Sequence, residues 1–314
     1  MVQGSNKIRE YIYGPVPSRR LGFSLGVDLV PYKVCTYDCI YCQLGKTTKK
    51  TIQRKEYIES REVLLQIKKA ISTQQKIDYI TFSGSGEPTL NTNIGSLIRE
   101  IKKITDIPVA IITNGSLLYK ESIRKALLPA DLVVPSLDAA RESTFKIINR
   151  PHSSISFDRV VKGLLDFREE FKGRIWVEIM LVKDVNDSRK EIERFKSIIA
   201  ETTYDKIQLN TVVRPPSDKS AFPLSIEELR NIKDLIDENC EIISEFVRKR
   251  QEVSSEKKEK RILELIKRRP VTLSEISASL GINRNEVIKY LDFFTKNGII
   301  KNLNFKGKTY YESK

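Results

Sequence analysis

The stretch CTYDCIYC occupies residues 35–42 and contains three of the four cysteines in this 314-residue chain. Their spacing is three residues and then two, and no fourth ligand is nearby, since the single histidine is His152. A structural zinc site normally takes four protein ligands, with its cysteines in closely spaced pairs. Three cysteines this close together therefore favour a different metal or redox centre over a zinc site or a disulfide framework.

Three thiolates suit a cubane iron–sulfur cluster. Such a cluster has four irons, so Cys35, Cys39 and Cys42 leave one iron without a protein ligand. A substrate or cofactor can bind at an iron without a protein ligand, just as one binds at the open coordination position of a catalytic zinc. The pattern therefore predicts chemistry at the cluster. Cys240, far along the chain, is expected to be a small buried hydrophobic residue.

The composition is typical of a globular chain with a strong positive charge. Hydrophobic residues make up 40%, and 55 lysines and arginines exceed 41 aspartates and glutamates, for a formal net charge of +14. No apolar run approaches the ~18 residues that span a membrane, and the beginning of the chain contains no hydrophobic stretch of signal-peptide type. We therefore expect a cytoplasmic protein without membrane association, and its oligomeric state stays open.

Residues 1–248 alternate short apolar strands with amphipathic helices, such as REVLLQIKKAIST at 61–73. Six strands are predicted, each followed by helical sequence, at residues 24–30, 77–83, 108–114, 130–138, 174–182 and 205–213. Repeated strand–helix units predict an α/β domain with a parallel sheet. Periodicity alone leaves open whether this sheet is flat or curved into a partial barrel.

Residues 249–314 are predicted to form a linker and a small winged helix-turn-helix domain. The charged stretch RKRQEVSSEKKEKR, residues 248–261, is interpreted as a linker that runs into a helix. Thr272 and Glu275 form a capping-box pattern, and Gly281 can end that helix in the left-handed conformation.

A second capped helix and a hairpin complete this predicted domain. Asn283 precedes the helix, Gly298 can end it, and the sequence around Gly307 predicts a hairpin turn. Residues 249–314 hold 16 basic and 8 acidic residues, which agrees with a polyanionic partner. Modules of this type also serve in dimerisation or protein docking. In the nucleic-acid interpretation, the contacts come from Arg284, Asn285, Lys289, Lys306 and Lys308.

The cysteine motif, with Tyr41 before its last cysteine, resembles the C-x3-C-x2-C hallmark of the radical S-adenosylmethionine superfamily. The resemblance implies that Tyr41 contacts the cofactor. The resemblance extends over about residues 15–215. The segment GPVPSRRLGFSLGVDLVPYKVCTYDCIYCQLG is similar to the start of iron–sulfur oxidoreductases related to the wybutosine-forming tRNA enzyme. The resemblance implies a partial TIM-type barrel of six strand–helix units, (β/α)6. It also implies a 4Fe-4S cluster on the three cysteines, with S-adenosylmethionine chelating the open iron.

The resemblance implies a reaction type as well. One electron from the reduced cluster cleaves S-adenosylmethionine to methionine and a 5′-deoxyadenosyl radical, which abstracts a hydrogen atom from the substrate. An electron donor of the flavodoxin or ferredoxin type is implied as a partner. The chain lacks the further cysteine cluster of the wybutosine-forming enzyme, so the particular reaction of that enzyme is not carried over.

A second motif, SGSGEPTL at residues 83–90, follows the second predicted strand. The superfamily pattern here is Gly-Gly-Glu-Pro, which binds the methionine amino group. This chain has Ser85, Gly86, Glu87 and Pro88, with serine in place of the first glycine. Since a carboxylate is a suitable acceptor for an ammonium group, the resemblance implies that this segment binds the cofactor.

Polar residues at later strand ends are further candidates for cofactor contacts, because parallel strands present their carboxyl ends at one edge. In similar enzymes such residues touch the ribose or the methionine carboxylate, and here they are Thr113, Asn114, Ser136, Asp138, Glu178 and Asn210. Each is alternatively a cap or turn residue. Arg19 and Arg20 are candidates for a substrate phosphate or carboxylate, or for ion pairs with acids. Trp176, Phe293 and Phe294 are expected to pack in the core.

Two functions from different classes follow. The first is a radical S-adenosylmethionine enzyme whose C-terminal module delivers it to a nucleic acid such as tRNA, with a small-molecule or peptide substrate left open. The second is an iron–sulfur regulator or redox sensor that reads DNA through the winged helix. Glu87 and the polar strand ends favour the enzyme, because a sensor needs no site for an amino group.

Overall fold

The structure is a computed structural model that describes residues 11–73, 75–243 and 258–314. The elements of residues 11–243 are, in chain order, β1 (Ile12–Ser18), β2 (Gly22–Val27), β3 (Val34–Cys35), β4 (Lys49–Lys50), α1 (Ser60–Ile71), β5 (Tyr79–Phe82), a short 3-10 helix (Pro88–Leu90), α2 (Ile94–Ile104), β6 (Val109–Thr113), α3 (Glu121–Leu127), β7 (Leu132–Pro135), α4 (Glu142–Ile148), α5 (Phe157–Glu170), β8 (Arg174–Leu181), α6 (Arg189–Ile199), β9 (Lys206–Thr211), α7 (Ile226–Ile236) and β10 (Cys240–Ile242).

Eight of these strands form one mostly parallel sheet, in the order β1-β2-β5-β6-β7-β8-β9-β10. Strand β1 pairs antiparallel with β2, and every other neighbouring pair is parallel. The six predicted strands are all present, as β2 and β5 to β9. The edge strands β1 and β10 were not predicted, because β1 has a mixed burial pattern and β10 has three residues. The chain therefore has an α/β fold.

Burial on both faces accounts for the apolar central strands. All four residues of β7 are buried, as are four of the five in β6, which is the pattern of parallel strands covered by helices. Cys240 is 3% exposed within this core, as expected, and burial raises the pKa of its thiol to about 12. Because the strands are parallel, the loops that carry the cysteine motif, the SGSGEPTL motif and the polar strand ends share one edge of the sheet. We call it the carboxyl edge.

Residues 258–314, called the C-terminal unit below, surround a hydrophobic cluster of their own. Their elements are α8 (Lys258–Arg268), β11 (Val271–Thr272), α9 (Leu273–Leu280), α10 (Arg284–Lys296), β12 (Ile300–Phe305) and β13 (Lys308–Ser313). The strands pair antiparallel in the order β11-β13-β12. The predicted domain boundary at residue 248 and most of the predicted linker lie outside the described residues. Within the three described ranges, no helix is long and apolar enough to cross a membrane.

Local signals in the C-terminal unit have the predicted geometry. The Thr272 hydroxyl accepts a hydrogen bond from the Glu275 backbone N–H at 3.2 Å, and the Glu275 carboxylate accepts one from the Thr272 backbone N–H at 2.9 Å. Gly281 ends α9 with φ 65°. Lys306 and Gly307, with φ 50° and 69°, form the two-residue turn between β12 and β13, as a hairpin turn with positive φ at both positions requires.

The expectation for the aromatic residues was partly wrong. Trp176 and Phe294 are buried, but Phe293 is 50% exposed. Successive residues on a helix differ by about 100° in direction. Phe294 therefore faces the cluster with Val287 and Leu291, and Phe293 on α10 points away from it.

The C-terminal unit packs over the carboxyl edge of the sheet. Arg214, three residues after β9, donates a hydrogen bond to the Glu275 carboxylate at 2.9 Å. The Tyr310 hydroxyl donates to the Val213 carbonyl oxygen at 2.9 Å, and Val16 of β1 packs against the cluster of the C-terminal unit. These contacts place α8, α9 and β13 opposite the loops that carry the predicted site.

Candidate active site

The three cysteines lie on the loop between β2 and α1, at the carboxyl edge. Each cysteine sulfur accepts a hydrogen bond from a nitrogen of another side chain. The bonds are Lys33 Nζ to Cys42 Sγ at 3.1 Å, Asn114 Nδ2 to Cys35 Sγ at 3.5 Å and Asn149 Nδ2 to Cys39 Sγ at 3.4 Å. Donors of this kind stabilise the negative charge of thiolates that bind a metal centre. Lys33 and Asn149 were not predicted as donors to the cysteines. Asn149 lies 110 positions from Cys39 in the chain, and only the fold brings the two together.

The chemistry of these thiols fits an iron–sulfur cluster. Burial raises the pKa of Cys35 to about 12, with the charge of Glu87 acting in the same direction, and burial raises the pKa of Cys39 well above its ordinary value. Such thiols become thiolates when a metal replaces the proton. Within residues 11–73, 75–243 and 258–314, no group of three His, Cys, Asp or Glu residues is placed to hold one metal ion. The set of three thiols with nitrogen donors suits a larger cluster, which bonds several cysteines through different irons.

The loop after β5 packs against the cysteine loop and has no room for larger residues. A Cβ on Gly86 would lie 2.0 Å from the Val34 carbonyl oxygen, and Gly84 has φ +130°. Ser85 stands where the resemblance expects glycine. Its backbone N–H donates to Asp28 Oδ1 at 2.6 Å and its hydroxyl to Asp28 Oδ2 at 3.1 Å. The serine therefore anchors the loop to Asp28, which follows the end of β2.

Glu87 is 2% exposed, and its carboxylate accepts four hydrogen bonds from the chain. The donors are Thr89 N at 3.0 Å, Thr89 Oγ1 at 2.6 Å, Thr113 Oγ1 at 2.7 Å and Asn114 N at 2.8 Å. Burial raises the pKa of Glu87, although these bonds act in the opposite direction. Three of these bonds go to Oε1 and one goes to Oε2, so Oε2 keeps an acceptor position and the role of Glu87 as an ammonium acceptor stays a prediction. Glu87 also ties the end of β6 to the loop that begins the 3-10 helix at Pro88.

Asp138 connects the cysteine loop to β8. Its Oδ2 accepts hydrogen bonds from the Tyr41 hydroxyl at 2.5 Å and from Asn149 Nδ2 at 2.8 Å, and its Oδ1 accepts one from Met180 N at 3.1 Å. Burial raises the pKa of Asp138 to about 6, while the hydrogen bonds lower it. Ser136 differs, because its hydroxyl makes no hydrogen bond in the part of the chain that the structure describes. Of the two predicted residues after β7, Ser136 is the one available to a ligand.

Arg20 and Glu178 form a buried ion pair with two parallel hydrogen bonds, at 2.8 and 2.7 Å. Asn210 Nδ2 donates to Glu178 Oε1 at 2.8 Å, and Arg19 Nη1 donates to Asn210 Oδ1 at 3.1 Å. Burial is the largest influence on the pKa of Glu178 and acts to raise it. The charges of Arg20 and Arg19 and the hydrogen bonds from Asn210 and Arg20 together outweigh burial, so the pKa falls below the ordinary value. Of the two alternatives left open for Arg20, a substrate anion or an ion pair with an acid, the structure shows the ion pair, with Glu178 as the acid.

A cavity of about 1140 Å³ lies between the carboxyl edge and the C-terminal unit. Four of the predicted cofactor residues and one cysteine lie in its wall, namely Tyr41, Ser85, Glu178, Asn210 and Cys42. Residues of α8, α9 and β13 form the opposite wall. The volume exceeds the range of roughly 300–1,000 Å³ common for a single small ligand. The cavity is thus large enough for a cofactor and part of a substrate.

The residues predicted to contact nucleic acid are divided between two surfaces. Lys308 lies in the wall of the cavity. Arg284, Asn285 and Lys289 are exposed on α10, and Lys306 is exposed at the hairpin turn. Lys308 of β13 therefore faces the cavity, whereas the other four residues are exposed elsewhere on the C-terminal unit, and their contact with nucleic acid stays a prediction.

Comparison with known proteins identifies the family. Residues 29–195 match the radical SAM superfamily. A UPF0026 protein of Methanocaldococcus jannaschii is 34% identical over 306 residues, which cover 95% of this chain and 94% of that protein. A protein of Brachyspira hyodysenteriae named GTPase Obg is 42% identical over 293 residues, which cover 92% of this chain but 43% of that protein. The chain belongs to the radical SAM superfamily and is a homologue of the UPF0026 proteins.

Solved structures show the same fold. A radical SAM methyltransferase from Sphaerobacter thermophilus superimposes with a TM-score of 0.54 at 15% identity, over 72% of this chain and 67% of that chain. The structure described as native anSMEcpe with bound AdoMet gives a TM-score of 0.50 at 19% identity, over 68% of this chain and 58% of that chain. The protein is an enzyme of this superfamily, whose cofactors are a 4Fe-4S cluster and S-adenosylmethionine.

Proposed function

We propose that Cys35, Cys39 and Cys42 hold the cluster and that the substrate reacts in the cavity beneath the C-terminal unit. The observation that carries this proposal is that Cys42 and Ser85 lie in the wall of one cavity closed by α8, α9 and β13. When bound, the cluster and S-adenosylmethionine supply a deoxyadenosyl radical that abstracts hydrogen from a substrate. The sheet is then a partial barrel, with the site at its carboxyl edge.

The chain's own residues have distinct roles in this proposal. Lys33, Asn114 and Asn149 donate hydrogen bonds that stabilise the three thiolates. The loop after β5, held by Asp28, presents its backbone to the cofactor. The Ser136 hydroxyl, which has no hydrogen-bond partner among the described residues, binds the ribose or the carboxylate. An electron donor of the flavodoxin or ferredoxin type supplies the electron.

We propose further that residues 249–314 are a separate winged helix-turn-helix domain, with α9 and α10 as its helix pair and β12 and β13 as its wing. The docking of this domain supports the enzyme over the DNA-reading regulator. In a regulator the wing has to reach DNA, whereas here Tyr310 and Lys308 of β13 line the cavity. A covering domain also excludes water from a site where reactive intermediates form.

Chemistry at the site is testable with the purified protein. Anaerobically reconstituted and reduced wild type is expected to convert S-adenosylmethionine to methionine and 5′-deoxyadenosine, slowly in the absence of substrate. Chromatography of the reaction mixture measures both products, and a sample without reductant is the control. If the fully loaded, reduced protein produces no deoxyadenosine, the enzyme proposal fails and the sensor gains support.

A nucleic acid, tRNA in particular, is the substrate class that we propose. The exposed side chains of Arg284, Asn285 and Lys289 on α10, facing away from the cavity, support it. The full chain is expected to bind total tRNA more tightly than duplex DNA. Its affinity should fall with salt, with a slope of about −0.7 to −0.9 per phosphate neutralised. Lys289→Gln should weaken binding, which fluorescence titration at two salt concentrations measures.

The control for this titration is Lys125→Gln on α3, which removes an exposed lysine that pairs with Glu121. This variant should bind tRNA as the wild type does. Tighter binding to duplex DNA would support the regulator. Absence of binding to either nucleic acid at low salt would leave the C-terminal unit as a docking or dimerisation module.

A further inference from the structure

The wall of the cavity carries an excess of positive charge. Six cationic side chains and two carboxylates line it, namely Arg19, Arg20, Arg214, Arg268, Arg269, Lys308, Glu178 and Glu275. The C-terminal unit contributes half of the cations. Three of the five arginines form ion pairs, since Arg20 pairs with Glu178, Arg214 with Glu275, and Arg268 with Asp28, which does not line the cavity.

Arg214 lies between the cysteine loop and the C-terminal unit. It is 7% exposed, its Nη2 donates to Glu275 Oε1 at 2.9 Å, and its Nη1 donates to Gln43 Oε1 at 3.3 Å. Its Nε is buried and has no hydrogen-bond partner among the described residues. A buried N–H without an acceptor is costly, and a charged one especially so. The side chain therefore has capacity for a further acceptor in the cavity.

Arg19 and Arg269 have no carboxylate partner within the described ranges. Arg19 reaches Asn210 and the Ile243 carbonyl oxygen, and Arg269 makes no hydrogen bond to a described residue. Burial lowers the pKa of Arg269 to about 9 and that of Arg19 to about 10, and the charge of Arg214 acts on both in the same direction. Three guanidinium groups thus line the cavity together with the carboxylate of Glu275, and each of Arg19 and Arg269 is within electrostatic reach of Arg214.

We propose that Arg19, Arg214 and Arg269 form a binding site for a phosphate group of the substrate. Crowding like charges around a partly desolvated space is unfavourable unless an anion joins them. Guanidinium groups bind phosphate oxygens through paired hydrogen bonds, and a phosphate has enough oxygens for three of them. The guanidinium groups of Arg19 and Arg269, which have no carboxylate partner among the described residues, carry two positive charges, and these match the two negative charges of a phosphate dianion. This inference rests on the proposed function, because it takes the cavity as the substrate site.

The site is completed by the C-terminal unit. Arg269 directly follows α8, and Arg214 follows β9 at the carboxyl edge. Arg19 lies in the turn between β1 and β2, and its side chain reaches Asn210 of β9. A substrate phosphate held by all three would fix the substrate in the cavity whose wall includes Cys42. The C-terminal unit then acts in substrate binding and in orientation, in addition to covering the site.

Arg269→Gln is the informative variant, because it removes a charge without leaving a carboxylate unpaired. Isothermal titration of the full chain with inorganic phosphate, without S-adenosylmethionine, is expected to show saturable binding that Arg269→Gln weakens at least about tenfold. Arg189→Gln, on the exposed surface of α6, is the matched control and should bind phosphate as the wild type does. Arg214→Gln should also weaken binding, and circular dichroism shows whether it remains folded without the Glu275 ion pair.

Acetate at matched ionic strength and S-adenosylmethionine are the comparison ligands. Acetate is expected to bind weakly, and S-adenosylmethionine to bind wild type and Arg269→Gln alike. Equal phosphate affinity in wild type and Arg269→Gln, or no saturable binding in the wild type, would overturn the proposal. So would equally tight acetate binding, or a loss of S-adenosylmethionine binding in Arg269→Gln, which would assign the arginines to the cofactor carboxylate. Failure of the proposed function is seen separately, as absence of deoxyadenosine from the wild type.

Discussion

Replacing Cys35, Cys39 or Cys42 with alanine is expected to abolish stable binding of the four-iron cluster and the broad visible absorption that it gives. The physical reason is that three thiolates are the smallest set that holds the cluster while one iron stays open. Each sulfur also accepts a hydrogen bond from its own nitrogen donor, so we expect all three cysteines to be needed as ligands. Iron and sulfide analysis after anaerobic reconstitution measures the loss.

Cys240→Ala is the matched control, because Cys240 is buried in β10, away from the cysteine loop. This variant should load iron as the wild type does. Circular dichroism should show that the single alanine variants of the loop remain folded, since all three cysteines are only partly buried. Full iron loading in a variant without all three loop cysteines would disprove the assignment of these ligands.

Arg20→Ala is expected to destabilise the fold by about 3–5 kcal/mol at neutral pH, because it leaves the Glu178 carboxylate buried without its partner. The side chains of Arg20 and Glu178 are 9% and 10% exposed, so solvent screens the pair little. Urea denaturation of the cluster-free chain under reducing conditions measures the free energy of unfolding. Arg189→Ala, which breaks an exposed pair with Glu193, should change it little.

The effect of Arg20→Ala should depend on pH. In the wild type the pKa of Glu178 is lowered, so its contribution to stability is present above the ordinary carboxyl pKa and lost as pH falls through the folded pKa. In Arg20→Ala, burial acts without the arginine and raises the pKa of Glu178, so stability falls as pH rises through that value. The difference between the two proteins should therefore widen from acid to neutral pH. A constant difference across this range would contradict the electrostatic explanation.

A double variant tests the same explanation from the other side. Replacing Arg20 with Met and Glu178 with Leu together removes both charges and keeps the volume similar. This variant should regain most of the stability that Arg20→Ala loses. If the double variant is as unstable as Arg20→Ala, packing and not the unpaired charge accounts for the loss.

Most of the predictions that were confirmed depend on residues near one another in the chain. The six parallel strands follow from apolar segments separated by amphipathic helices, and the cap at Thr272 and the turn at Gly307 follow from local hydrogen bonding and backbone conformation. The class of enzyme follows from the resemblance of the cysteine motif, three cysteines within eight residues, to the hallmark of the superfamily, which the family match confirms. Each of these signals is complete within a short segment, so the sequence carries it without the fold.

What the sequence did not reveal concerns the partners of polar side chains. Arg20 has a residue type that suits a substrate anion or an acidic side chain, and Glu87 has one that suits an ammonium group. In the structure Arg20 meets a carboxylate 158 residues away, and two of the four donors around Glu87 come from the end of β6. Whether a buried polar side chain can still bind a ligand depends on the hydrogen bonds and ion pairs that it makes with distant residues, and no local pattern in the sequence reveals these.

By itself, the sequence determined the α/β fold, the position of the cysteine loop at the carboxyl edge and the membership of the radical SAM superfamily. The period of the apolar residues, the capping residues of the helices and the spacing of the cysteines in their motif indicate these features, and all are local properties of the chain. Only the tertiary structure decided that the C-terminal unit covers this edge and that Arg214 and Arg269 line one cavity with Arg19. These residues lie far apart in the chain, and their approach depends on how two separately formed hydrophobic clusters pack against each other.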